Sequence, residues 1–159
     1  MVDVRLREVR DDDLPILFEQ QLDPDANRMA AFTVADPADH DAFVARWKRI
    51  RAGENVTVRT IVAGGEVAGS ALVWRDPGLP GPEVSYWLGR EHWGRGIATA
   101  ALAAFLDVVP ARPLYGRCAA DNLGSRRVLE KCGFVLLGEQ TGFANGRGEE
   151  VAELLLELR

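Results

Sequence analysis

"GREHWGRGIATAALAAF", Gly89 to Phe105, is the stretch that decides the fold of this chain. Gly89, Gly94 and Gly96 punctuate it, Arg90 and Arg95 stand between them, and an alanine-rich run follows. Ile97, Ala98, Ala101, Leu102, Phe105, Leu106 and Val109 recur at helical spacing, and Pro110 ends the pattern. Just upstream, "EVSYWLG" (83–89) alternates: Val84, Tyr86 and Leu88 point one way, Glu83, Ser85 and Trp87 the other. The unit is strand, glycine turn, helix. Glycines there let the backbone approach an anion, and the first amides and the dipole of the helix attract it. A plain turn that merely needs glycine is the rival reading, and the hexapeptide alone does not separate the two.

Three phosphate-holding turns begin with similar letters. The G-x-x-x-x-G-K-[ST] loop fails, because "GREHWGRG" continues without the lysine and the magnesium-binding hydroxyl. The G-x-G-x-x-G dinucleotide turn fails too: Thr99 stands where its last glycine belongs, and several strands already precede it. The third pattern, Q/R-x-x-G-x-G/A, is met by "WGRGIA" (93–98) at every position but the first.

Outward from this centre the chain reads as β-α-α-β-β-β-α-β-α-β-β. "VRLREV" is a first strand. Asp11, Asp12 and Asp13 offer an N-cap to a helix with Pro15 in its first turn and Leu14, Leu17, Phe18 and Leu22 on one face. "DPDANRMAAFTVADPADH" (23–40) reads as loop. A second helix is expected from about Asp36-Pro37, with Phe43, Val44, Trp47 and Ile50 inward. "VTVRTIVA" and "EVAGSALVWR" flank Gly64-Gly65 as a hairpin. "LYGRCA" is a short strand, Asn122 caps a helix ended by Gly133, and "FVLLGEQ" and "VAELLLEL" are closing strands. This order gives an α/β class, an α+β sandwich of one domain over residues 1–159.

Composition narrows the function. Hydrophobic residues are 47% and charged residues 27% of 159, as expected of a folded soluble domain. The net charge of -5 argues against a nucleic-acid partner and suits a cationic one weakly. No stretch reads as a signal peptide or a bilayer span, so no membrane partner is expected and the cytoplasm is the default location. Cys118 and Cys132 read as buried thiols, and with His40 and His92 they are too few for a metal site.

The segment one strand later is decisive. "CAADNLGSRRVLEKCGF" (118–134) sets Asn-x-x-Ser at a helix start, then an apolar stripe, then Lys-Cys-Gly-Phe. With "EVSYWLGREHWGRGIATAAL" and the closing "GRGEEVAELLLEL", it resembles the GNAT superfamily of N-acetyltransferases, most of all the ribosomal-protein N-terminal (Rim-type) branch. The resemblance runs from about Val56 to the end; the earlier part matches only in element order. Trp93 replaces the usual Gln or Arg, which that branch tolerates.

The resemblance implies a mixed, mostly antiparallel sheet of about six to seven strands with about four helices. Acetyl-CoA as co-substrate would lie between the splayed strands "EVSYWLG" and "LYGRCA", without a metal. A bulge would free backbone groups near Trp87 and Leu88 for the pantetheine arm, and the Leu88 amide would polarise the thioester. Arg95, Gly96, Ile97, Ala98 and Thr99 would wrap the pyrophosphate. Asn122 would touch the pantetheine, or simply cap its helix. Ser125 would assist the thiolate, or be part of that cap. Glu83 is the candidate base for the protonated amine, relaying its proton through water if its pKa is an ordinary value of about 4.3; a solvated loop end is its rival reading, and Glu149 and Glu150 are the alternatives. On that ordinary pKa, loss of Glu83 would hurt most at low pH. The partner is an amine, a small molecule or a protein N-terminus, and a homodimer is compatible. A non-catalytic acyl-CoA-binding module and an enzyme binding ATP or NAD in the same turn are the other readings.

Overall fold

The computed structural model describes residues 2–159. Seven strands form one sheet: β1 (Val4–Arg7), β2 (Thr57–Ala63), β3 (Glu66–Arg75), β4 (Pro82–Leu88), β5 (Leu114–Ala119), β6 (Val135–Ala144) and β7 (Glu149–Leu158). Their order is β1-β2-β3-β4-β5-β7-β6. Every neighbouring pair is antiparallel except β4 and β5, which are parallel. Five helices cover it: α1 (Asp13–Gln21), α2 (Pro24–Ala30), α3 (His40–Ala52), α4 (Ile97–Val108) and α5 (Leu123–Lys131). The mixed, mostly antiparallel sheet is the one expected.

Each face of the sheet has its own apolar layer. On one, the α4 stripe of Ile97, Ala101, Leu102 and Phe105 packs on Ala71, Val84, Leu114 and Leu156. On the other, Leu17 of α1 meets Phe43 and Trp47 of α3. Burying a side chain of this size stabilises by about 1.5–3 kcal/mol, so the two layers hold the helices against opposite faces.

Four expectations are corrected. The stretch 23–40 contains α2: Asp23 caps it, accepting hydrogen bonds from the amides of Asp25 and Ala26, and Pro24 takes the first turn. That makes five helices rather than four. The α3 helix starts at His40, with the Asp39 carboxylate accepting from the Ala42 amide, not near Asp36. Val44 is 44% exposed; the inward face of α3 runs through Phe43, Arg46, Trp47 and Ile50. Finally, the position before α1 is Asp12, whose side chain makes no cap bond, while Asp13 turns inward. Its carboxylate accepts two hydrogen bonds from Arg7, at 2.7 and 2.8 Å, one from the Arg10 amide and one from the Thr60 hydroxyl. The N-terminal aspartates thus tie β1, α1 and β2 together.

Candidate active site

The centre of the sheet is open. β4 and β5 are paired only at Glu83 and Tyr115, and beyond that point the strands part. The separation is the one the resemblance implies, but the bulge is not where the resemblance places it. β4 keeps unbroken register with β3 from Pro82 to Leu88, so it carries no bulge in that ladder. The nearby irregularity lies between β2 and β3, where Ile61 pairs with Gly69 and Val62 with Val67. A cavity of about 1230 Å³ runs through the gap and reaches both faces of the sheet.

On the α4–α5 face lies the glycine turn. Gly94 and Gly96 have φ of 71° and 76°, a left-handed backbone that disfavours any side chain. Gly96 caps α4 without a side-chain hydrogen bond, so the amides of its first turn point outward. A Cβ added at Gly94 or Gly96 would meet nothing within 4 Å. The cavity wall here is Gly94, Gly96, Ile97, Ala98 and Thr99; the Arg95 side chain is exposed and off the wall. These residues fit a pyrophosphate, and the gap fits an extended arm.

Trp93, which sequence reasoning noted only as a departure, has a defined task. Its indole N–H donates to the Leu88 carbonyl at 2.9 Å, tethering the turn to the end of β4. That carbonyl is therefore already engaged, which narrows the backbone groups near Trp87 and Leu88 open to a ligand.

Across the gap, the Tyr86 hydroxyl donates to Ser125 Oγ at 3.2 Å. Burial pushes the Tyr86 pKa up, against the pull of that hydrogen bond, so the phenol stays protonated at neutral pH. The Ser125 amide in turn donates to Asn122 Oδ1 at 3.2 Å; Asn122 caps α5 and also lines the cavity. Strand alternation puts Tyr86 on the face of Val84 and Leu88 but assigns it no partner.

The opposite face, under α1 to α3, is charged. Glu83 is 6% exposed, and its Oε1 has no hydrogen-bond partner among the described residues. Its nearest cation is Arg117, at 3.8 Å, which lies closer to Asp76, at 3.4 Å. Burial pushes the Glu83 pKa up to about 7; Arg117 opposes the rise, while Asp76 and Glu153 add to it. Asp76, Arg117 and Glu153 line the cavity but were not read from sequence. Glu149 and Glu150 are exposed and off the wall; it is Glu153 of the same strand that reaches it. Cys118, buried in the wall, has a thiol pushed up to about 11, mainly by burial, which leaves it a poor nucleophile.

The family described as "Acetyltransferase (GNAT) domain" matches residues 3–135. Among curated proteins, none matches the chain in sequence. Solved structures share its fold. One is Mycobacterium smegmatis RimJ in complex with CoA-disulfide (TM-score 0.77, 24% identity, 98% of this chain and 81% of that one). Another is the microcin C7 self immunity acetyltransferase MccE in complex with acetyl-CoA and AMP (0.79, 18%, 98% and 92%). A third is spermidine N-acetyltransferase from Vibrio cholerae in complex with CoA and spermine (0.76, 19%, 97% and 95%).

Proposed function

The chain belongs to the GNAT acetyltransferase family and is an acetyl-CoA-dependent N-acetyltransferase, and we propose that it acetylates a primary amine by direct attack within a ternary complex. The observation that carries this is one cavity with a glycine turn at a helix start on one face of the sheet and, on the other, a buried carboxylate with one oxygen that accepts no hydrogen bond among the described residues. On this reading the amides of Gly96, Ile97, Ala98 and Thr99 hold the pyrophosphate, with Asn122 beside the pantetheine. Glu83, with a pKa of about 7, takes the amine proton directly or through one water. The neutral nitrogen then bonds to the acetyl carbon, the carbon–sulfur bond breaks, and the nitrogen sheds its second proton to water. Ser125, backed by the Tyr86 phenol, gives a proton to the thiolate and regains one from solvent. No cysteine intermediate is needed. Holding both substrates in line can supply up to roughly 7–11 kcal/mol of the barrier.

"ADNLGSRRVLEKCGF" and the RimJ-like fold support a place near the Rim-type branch. The outer edge of β6, with Val135, Leu137 and Phe143 exposed, supports the homodimer reading, which sedimentation would test.

The experiment is thiol release from acetyl-CoA across a panel of amines, alongside calorimetry with acetyl-CoA, CoA, ATP and NAD. Amine-dependent release supports the proposal. Acetyl-CoA binding without release from any amine would favour a binding module, and preference for ATP or NAD would favour the other nucleotide reading.

A further inference from the structure

Eight buried side-chain polar atoms lack a hydrogen-bond partner among the described residues, and seven belong to residues lining this one cavity. A buried group left unpaired costs about 1–3 kcal/mol, so each of these atoms needs a partner that the chain does not supply, and a ligand in the cavity is one source of it. The chemistry of these atoms then describes the ligand.

On the α1–α3 side the orphans are of two kinds. Glu83 Oε1 and Asn27 Oδ1 are acceptors, and the Thr33 hydroxyl can play either part; with Asp76 and Glu153 nearby and only Arg117 opposing them, Glu83 suits an ammonium. Trp47 Nε1, Trp87 Nε1 and Arg117 Nε are donors. Arg46 joins them: it stands on the inward face of α3 between Phe43 and Trp47 and lines the cavity. Burial and the nearby Arg49 lower its pKa, and no carboxylate acts on it in the opposite sense. Arg46 is half-buried and pairs with no carboxylate among the described residues, which leaves its guanidinium free to receive an anion.

We propose that the acceptor is a small zwitterion, an amine carrying a carboxylate or phosphorus oxyanion a few bonds away. The amine faces Glu83, and the oxyanion takes donors from Arg46 and the indoles of Trp47 and Trp87. A polyamine brings only donors and leaves those groups unpaired. A protein N-terminus brings an amine and neutral carbonyls, and leaves the Arg46 charge unmatched. The inference rests on the reading of this cavity as an amine-acetylating site.

The test measures thiol release at saturating acetyl-CoA from free amino acids and aminoalkyl phosphonates, each against the amine lacking the acid group. A peptide amide with a free N-terminus and spermidine complete the panel. The best zwitterion should exceed its matched amine by about 10- to 100-fold in kcat/KM, the range of one or two charge-assisted hydrogen bonds. Arg46→Met should collapse that ratio to within about threefold, and Arg46→Lys should restore part of it. Preference for spermidine, the peptide or the matched amine would overturn the inference, as would a ratio that survives in a natively folded Arg46→Met protein. Should Arg46→Met fail to fold, the Arg46→Lys ratio decides: no change from wild type overturns it. Calorimetry of the same pairs on CoA-loaded wild-type protein separates the two readings. Selective zwitterion binding without any release overturns the acetylation reading alone; equal binding of zwitterion and matched amine overturns this inference alone.

Discussion

Asp13 and Glu83 are both carboxylates buried in the same small domain, at 2% and 6% exposure, and they are treated in opposite ways. Asp13 receives four hydrogen bonds from Arg7, the Arg10 amide and the Thr60 hydroxyl. Burial alone would raise its pKa, but those bonds outweigh it and hold it down at about 2. Glu83 has an oxygen with no partner, a cation shared with Asp76, and a pKa of about 7. One carboxylate is saturated at folding, and the other is left for something else to complete. The first fastens secondary structure; the second sits where chemistry is proposed.

The largest effect should come from breaking the saturated one. Asp13→Asn keeps the shape but leaves Arg7, whose side chain is 26% exposed, without its anion, and losing hydrogen bonds to a charged group costs about 1.5–3 kcal/mol. At about 2–4 °C per kcal/mol for this chain length, Tm should fall by roughly 5–10 °C. The pH dependence has a definite sign. The folded pKa of Asp13 is about 2, below its ordinary 3.8, so its contribution is present above pH 4 and is lost as pH falls toward 2. Asp13→Asn should therefore lose the corresponding part of the acid-side fall in stability. Calorimetric melts from pH 7 to 2 check both points; an unshifted Tm would mean that Asp13 fastens nothing.

Next is the activity of the unsaturated one. A general base is typically worth 10²–10⁴-fold, so Glu83→Gln should lower kcat/KM by about 10²-fold or more at pH 8. With a pKa of about 7, Glu83 is itself protonated in acid. The loss should therefore be small below pH 6 and largest between pH 7 and the pKa of the amine. This reverses the expectation from an ordinary glutamate, which placed the loss at low pH. Parallel pH profiles for variant and wild type would move the base to a water chain or to Glu153.

The two carboxylates also mark what sequence could reveal. The α4–α5 side of the cavity was legible because its chemistry is backbone chemistry, written in contiguous residues: two glycines, a helix start, an Asn-x-x-Ser cap. The α1–α3 side draws Arg46, Asp76, Glu83, Arg117 and Glu153 from separate segments of the chain, and only strand order together with the packing of α3 sets them on one cavity. Asp13 was read as a capping residue because three aspartates in a row have no internal mark for which one turns inward. Arg46 lies within reach of periodicity, being three residues after Phe43, but a charged side chain does not add to an apolar stripe. Asp23-Pro24 carried a helix-start signal, outweighed by the prolines and polar residues around it.

If Glu83 is strained by burial, removing its charge should stabilise the fold. Its folded pKa of about 7 lies above the ordinary 4.5, so ionisation costs stability that is absent below pH 4.5 and fully present above pH 7. The cost is on the order of 3 kcal/mol at most. Glu83→Gln should therefore raise Tm by several degrees at pH 8 and change it little at pH 4.5. A variant that is less stable at both pH values would show that Arg117 needs the carboxylate more than burial opposes it.

The smallest effect belongs to the pair between these extremes. Tyr86 and Ser125 satisfy each other across the gap at 3.2 Å, so neither is an orphan and neither is saturated. A thiolate is already a good leaving group, which places general-acid help at the low end of its range or below, about tenfold or less in kcat. Ser125→Ala removes the group next to the proposed thiolate, while Tyr86→Phe removes only its backing donor. If the two act as one relay, each single variant should cost about as much as the double, because either change breaks the same chain. If Ser125 only supports the α5 cap region, Tyr86→Phe should leave kcat at the wild-type value, and acetyl-CoA affinity rather than turnover should respond to Ser125→Ala. Single-turnover rates with each variant and the double distinguish the relay from the cap.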